Sequence, residues 1–129
     1  MIEPRLGFRV VRLEVGSDPS EDSELVWKAW VTADDDPDTV VMGYLRSVAG
    51  TGFGQARTAA ILMGRSFKDE VESGEFEKWI RENVLEHLYD TARRALNSQA
   101  AAMDVSLDIP TKAPEIELAR LSPETLAQE

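Results

Sequence analysis

The chain has 129 residues, of which 43% are hydrophobic and 29% charged, with a formal net charge of −10. That is the size of one domain, able to bury roughly two-thirds of its unfolded surface and too apolar to be a disordered acidic tail. It contains no cysteine, which excludes disulfides and thiolate zinc sites. Its acidity, with no basic stripe in the sequence to offset it, weighs against nucleic acid and favours a basic-surfaced protein partner.

Residues 1–19 hold neither a long apolar run nor a small-residue cleavage site, and no stretch reaches the length of a membrane span. The expected location is cytoplasmic. Residues 5–15 (RLGFRVVRLEV) form the first β-like run. Leu6, Phe8 and Val10 share one parity; Val11, Leu13 and Val15 share the other. A Ser-, Asp- and Pro-rich turn over residues 16–24 leads to the second run, residues 25–33 (LVWKAWVTA). There Leu25, Trp27, Ala29 and Val31 oppose Val26 and Trp30. The acidic turn at residues 34–38 (DDDPD) separates this from residues 39–49 (TVVMGYLRSVA), where Val40, Met42, Tyr44 and Val48 oppose Val41 and Leu45. Period-two alternation of β-branched and aromatic residues with short connections predicts an antiparallel meander. Both faces of these strands carry large apolar groups, so one face is left for a partner, unless the tail folds back over it.

Residues 50–55 (GTGFGQ) break the third run, and residues 56–65 (ARTAAILMGR) read as a short helix or an irregular segment. Ser73 is the expected N-cap of one long helix over residues 75–103. At ~100° per residue, Ile80, Val84, Leu85, Leu88, Tyr89, Ala92, Ala95, Leu96 and Gln99 fall on one half of its wheel. Charged and polar residues fill the other half, with Arg81 the main intruder, while Phe76 and Trp79 fall off the stripe, which marks a bend or a separate contact in the first turns. Residues 105–109 (VSLDI) read as an extended segment; Pro110 and Pro114 interrupt regular structure after it. The predicted fold is α+β: an antiparallel meander of three to four strands packed on a long C-terminal helix. Residues 1–114 form the sheet-plus-helix domain and residues 115–129 a C-terminal tail, in which Ser122 before Pro123 has the form of a helix start.

No motif carries enzyme chemistry. GTGFG at residues 50–54 lacks the third glycine of a dinucleotide loop and the Gly-Lys-Ser/Thr of a P-loop, so it reads as a flexible turn. Residues 34–38 lack the spacing of a calcium loop and read as a solvated turn or an acidic docking spot. His87 is the only histidine and has no Cys to complete a zinc site. Ser66 in GRSFK is not set in a nucleophile elbow. No metal and no cofactor is therefore expected, and the protein is not read as an enzyme. Aromatic and apolar residues on the strands are the candidates for a binding groove: Leu13, Trp27, Trp30, Tyr44, Leu45 and Phe53.

Residues 88–114 (LYDTARRALNSQAAAMDVSLDIPTKAP) join a helix bearing Tyr89, Ala92, Arg93 and Leu96 to an apolar-proline segment at residues 107–110. Residues 49–53 (AGTGF) end a strand with glycine and phenylalanine. In these features and in its order of parts the chain resembles the SecB-like family of protein-export chaperones, some of which serve toxin–antitoxin systems or are carried by phages. The resemblance implies ATP-independent holding of unfolded or antitoxin-type polypeptides in apolar grooves, and an acidic sheet surface for docking a translocation ATPase. It also implies a dimer or tetramer packed through the long helices, with Leu85, Tyr89, Ala92 and Leu96 as interface candidates. The alternative is a non-enzymatic structural or assembly protein, such as a phage-type virion or morphogenesis component, oligomerising through the same surface.

Overall fold

Alternation in the first half of the chain becomes four long strands: β1 (Arg5–Gly16), β2 (Glu24–Thr32), β3 (Thr39–Ala49) and β4 (Gly52–Met63). The structure is a computed structural model that describes residues 5–17, 23–32, 39–49, 52–63, 75–116 and 118–121. The expected features at residues 34–38, Ser66, Ser73 and Ser122 lie outside these. The sheet order is β1-β4-β3-β2-β5, where β5 is Leu118–Leu121. The predicted antiparallel pairing of the second and third runs is present as β2 and β3, and β4 continues the meander; the first run does not pair with the second as expected, because β1 adds antiparallel to the far side of β4. At the other edge β5 pairs parallel with β2, where a short helix or tail was expected.

Strand β4 corrects the expectation of a helix or irregular segment at residues 56–65. Its alanines carry little strand propensity, but the strand is central, flanked by β1 and β3. Ala56 and Ala60 are 1% and 0% exposed where a helix lies against the sheet, and small residues suit that position.

The expected single helix is two: α1 (Glu75–Asn83) and α2 (Leu85–Ala102), joined at Val84 with φ −120° and ψ −48°. Backbone bonds run through the joint, from Val84 N–H to Ile80 O at 2.8 Å and from Leu88 N–H to Val84 O at 2.9 Å. The bend lets Trp79, off the stripe of α2, pack against the core. Leu85, Leu88, Tyr89, Ala92, Leu96 and Ala100 are buried, while Gln99 is exposed. Ala100 thus takes the end of the stripe that Gln99 was expected to hold.

The core lies between the helices and one sheet face: Trp27, Ala29 and Val31 of β2, Val41 and Leu45 of β3, and Ala56, Ala60 and Leu62 of β4. Gly43 sits at its centre. A Cβ there would lie 2.7 Å from the Trp27 ring and 3.0 Å from Leu88, so glycine is what lets the ring and α2 close over β3. Trp27 meets Tyr89 edge to face, with ring centroids 5.2 Å apart at 70°.

Helix α2 ends in a Schellman turn. Asp104 stands in the left-handed region (φ 57°), and Val105 N–H reaches Ala100 O at 2.9 Å. The chain then returns across the same sheet face. Leu107, Ile109, Ala113 and Ile116 pack against the core, alternating with exposed Ser106, Asp108 and Pro110. This segment is extended without pairing as a strand. It is fixed by Tyr89 Oη donating to Pro110 O (2.6 Å) and by Arg81 donating to Ile116 O (2.5 Å). The described part of the tail therefore thickens the helix layer and extends the β2 edge; it leaves the opposite face uncovered.

Candidate functional site: the open sheet face and the β1 edge

The register of β1 slips between Val10 and Arg12, where Val11 forms a bulge. Val10 stands opposite Thr58, and Leu13 opposite Ala56, both on the helix-covered face. The bulge therefore turns both apolar sets of β1 to the same side: Leu6, Phe8 and Val10 before it, Leu13 and Val15 after it. The expectation of a β1 apolar on both faces is corrected. Its open-face residues include Gly7, Arg9, Arg12, Glu14 and Gly16.

That shift aligns a row of side chains drawn from four strands. Arg12 of β1 stands opposite Arg57 of β4, Arg57 opposite Tyr44 of β3, and Tyr44 opposite Lys28 of β2. With strands about 4.8 Å apart the row is about 14 Å long. Arg9 lies one row away on one side and Arg46 on the other. Among the described residues, the open face thus presents Arg9, Arg12, Lys28, Arg46 and Arg57 against only Glu14 and Glu24. Two expectations fail here. A basic stripe exists, assembled by the fold from residues scattered along the chain, and the exposed sheet surface is not acidic.

A polar network orders this face. Gln55 Nε2 donates to Glu14 Oε2 (2.9 Å), while its Oε1 accepts from Tyr44 Oη (2.9 Å) and Arg46 (3.3 Å). Arg12 pairs with Glu14 at 2.6 Å, and Arg46 lies 4.0 Å from Glu24. The Arg57 guanidinium is set over the Tyr44 ring, 5.9 Å from its centroid. Arg12, Tyr44, Gln55, Ala56 and Arg57 line a shallow depression of about 140 Å³. Beside the row, half-buried Trp30, Val40, Met42 and Ile61 make an apolar patch.

The second exposed feature is the outer edge of β1. Leu6, Phe8, Val10 and Val11 are 36–53% exposed, and they include most of the large hydrophobic residues exposed among those described. Phe8 is partly screened by His87, with ring centroids 5.9 Å apart. At 12 residues β1 is also a long edge strand.

The candidate binding residues divide by face. Trp30, Tyr44 and Phe53 are half-buried on the open face. Trp27 and Leu45 are 6% and 0% exposed in the core, and Leu13 packs under the helix layer, so these three point away from the open face. Odd parity places Trp27 and Leu45 on the face that the chain's own helices cover. The interface candidates Leu85, Tyr89, Ala92 and Leu96 are 7%, 0%, 0% and 0% exposed, spent on the sheet of their own subunit. The outward side of α2 carries Glu86, His87, Arg94 and Asn97 instead. Sequence reasoning missed the cationic row because its members lie on four strands; the signal for it was the positions opposite the buried parity, once the bulge is placed.

Among the described residues no group of three or more His, Asp and Glu is placed to hold a metal ion. No helix among them is long and apolar enough to cross a membrane. Comparison of the chain with models of known protein families, with curated proteins and with solved structures finds no match.

Proposed function

We propose that the chain is an ATP-independent, SecB-like holdase that binds unfolded or antitoxin-type polypeptide. The observation that carries this reading is the β1 edge: a strand of 12 residues with Leu6, Phe8, Val10 and Val11 exposed beside it. An extended client adding to that edge gains main-chain hydrogen bonds, and its side chains bury apolar surface at roughly 25 cal/mol per Å². Trp30, Tyr44 and Phe53 extend the contact area on the open face. The mechanism is binding alone, with no nucleotide, metal or cofactor, and the protein acts in the cytoplasm as a small homo-oligomer.

The same edge supports a second reading. A non-enzymatic assembly protein would use it for sheet continuation between copies, because the helix stripe is already occupied within the subunit. One experiment separates the two. The holdase suppresses aggregation of a chemically unfolded test protein without ATP, and Val11→Lys, which puts a charge on the exposed edge, weakens that suppression. Wild-type protein that leaves aggregation unchanged, while its mass in solution depends on position 11, supports the assembly reading instead.

A further inference from the structure

The geometry points to a second, separate binding surface: the cationic row on the open sheet face, which fits an extended polypeptide segment that alternates acidic with large apolar residues. Three observations carry it. First, Arg12 and Arg57 stand directly opposite on neighbouring strands and on the same face. Like charges so placed destabilise a sheet. Arg12 is relieved by Glu14, but Arg57 has no carboxylate partner among the described residues; its neighbour is the Tyr44 ring. A guanidinium whose neighbour is an aromatic ring 5.9 Å away keeps its N–H donors free for a carboxylate.

Second, the anchor is ordered before anything binds. The bonds linking Glu14, Gln55, Tyr44 and Arg46 fix three strands' side chains around the depression that Arg12 and Arg57 flank. Lys28, exposed at the far end of the row, has no ion pair among the described residues. A carboxylate between Arg12 and Arg57 and a second near Lys28 would use the row's length.

Third, the apolar patch of Trp30, Met42, Val40 and Ile61 runs alongside the cations. A segment lying on edge along the boundary between row and patch sends its alternate side chains to the two sides, acidic ones over the cations and apolar ones over the patch. The patch also argues for polypeptide over nucleic acid. A long polyanion would meet the remainder of a chain with net charge −10, whereas a short segment touches only the basic row and the apolar patch.

The test uses the full chain and fluorescence anisotropy with three probes. One is a short extended peptide alternating glutamate with leucine or phenylalanine. The second is the same peptide with lysine for glutamate, and the third an oligodeoxynucleotide of the same negative charge. The acidic peptide should bind and the lysine peptide should not, with affinity falling as salt is raised. Arg57→Glu with Lys28→Glu should weaken it by at least about tenfold, the scale of one lost charge-assisted contact. Arg57→Lys should retain part of the affinity, and Glu86→Gln, on the outward side of α2, all of it. Far-UV circular dichroism checks that each variant is folded, with Arg57→Gln as a milder replacement. Equal binding of the lysine peptide, tighter binding of the oligonucleotide, or indifference to charge reversal overturns the proposal. So does a change in solution mass on charge reversal, which would mean that a second copy covers the face. Val11→Lys should leave peptide binding intact, so failure at the β1 edge and failure here are told apart.

Discussion

The Tyr89 hydroxyl donates to the Pro110 carbonyl at 2.6 Å, tying the middle of α2 to the segment that returns beneath the helix layer. Tyr89 is fully buried, and burial raises its pKa above the usual 10.0. Removing the hydroxyl leaves a carbonyl without its donor, so Tyr89→Phe should cost about 1–2 kcal/mol in urea unfolding. The pH sign is also fixed. The neutral phenol is favoured by folding, so its contribution is complete below the unfolded pKa of about 10 and is lost as pH rises through the higher folded value. The phenylalanine variant should lose less stability than wild type at alkaline pH.

Thr58 is 0% exposed, and its hydroxyl has no hydrogen-bond partner among the described residues. It faces Gly43 on the next strand, under Leu88. A buried hydroxyl without a partner costs free energy that a methyl of the same shape does not. Thr58→Val should therefore raise stability by about 1 kcal/mol. A loss of similar size in the same unfolding measurement would show that the hydroxyl is satisfied.

Asp104 occupies the left-handed position of the Schellman turn with φ 57°, a place where glycine is favoured. Asp104→Gly should stabilise by about 0.5–1 kcal/mol, since the Cβ penalty disappears while the turn's bonds are all backbone. Thermal unfolding reads this as a rise in Tm of a few degrees.

Asp90 accepts from Arg93 at 2.5 Å and Arg94 at 2.8 Å. The Arg93 hydrogen bond, the largest cause, holds its pKa below the usual 3.8. The folded state therefore favours the carboxylate. Its contribution is complete above the unfolded pKa of about 3.9 and disappears as pH falls through the lower folded value. The pairs lie on a helix surface with Arg94 mostly exposed, so the effect is small, about 0.3–0.5 kcal/mol. Asp90→Asn should lose that much at neutral pH and soften the decline in stability below about pH 4.

Strands β2 and β3 were legible as strands, with their two parities correctly sorted, because turn residues bracket them and no bulge interrupts their alternation. Which parity the helices cover was not legible, since both carry large apolar groups, and Trp27 and Leu45 were therefore grouped with Trp30 and Tyr44. The buried stripe from Ile80 to Leu96 was equally readable, since apolar spacing is what folds it down. The break at Val84 was signalled only by Trp79 falling off the stripe; no Pro or Gly marks it. The β1 bulge was invisible, because an extra residue changes no composition and only pairing with β4 reveals it. It was also the most consequential miss, since the cationic row exists only once Arg12 is turned to face Arg57. Strand β4 was missed because a small residue's preference is set by what lies above it, and the sequence does not state that.

Strand β5 covers the β2 edge with four residues. The two edges of the sheet are therefore unequal: 12 residues at β1 and four at β5. Any chain that joins at β1, whether a client or a second copy, consumes the long edge. At the other edge stand the four residues of β5 and, beyond them, residues 24–28 of β2, which β5 does not reach. Pairing of two copies through β1 would consume both long edges at once and so close on itself, whereas a client strand added there presents an outer edge of its own.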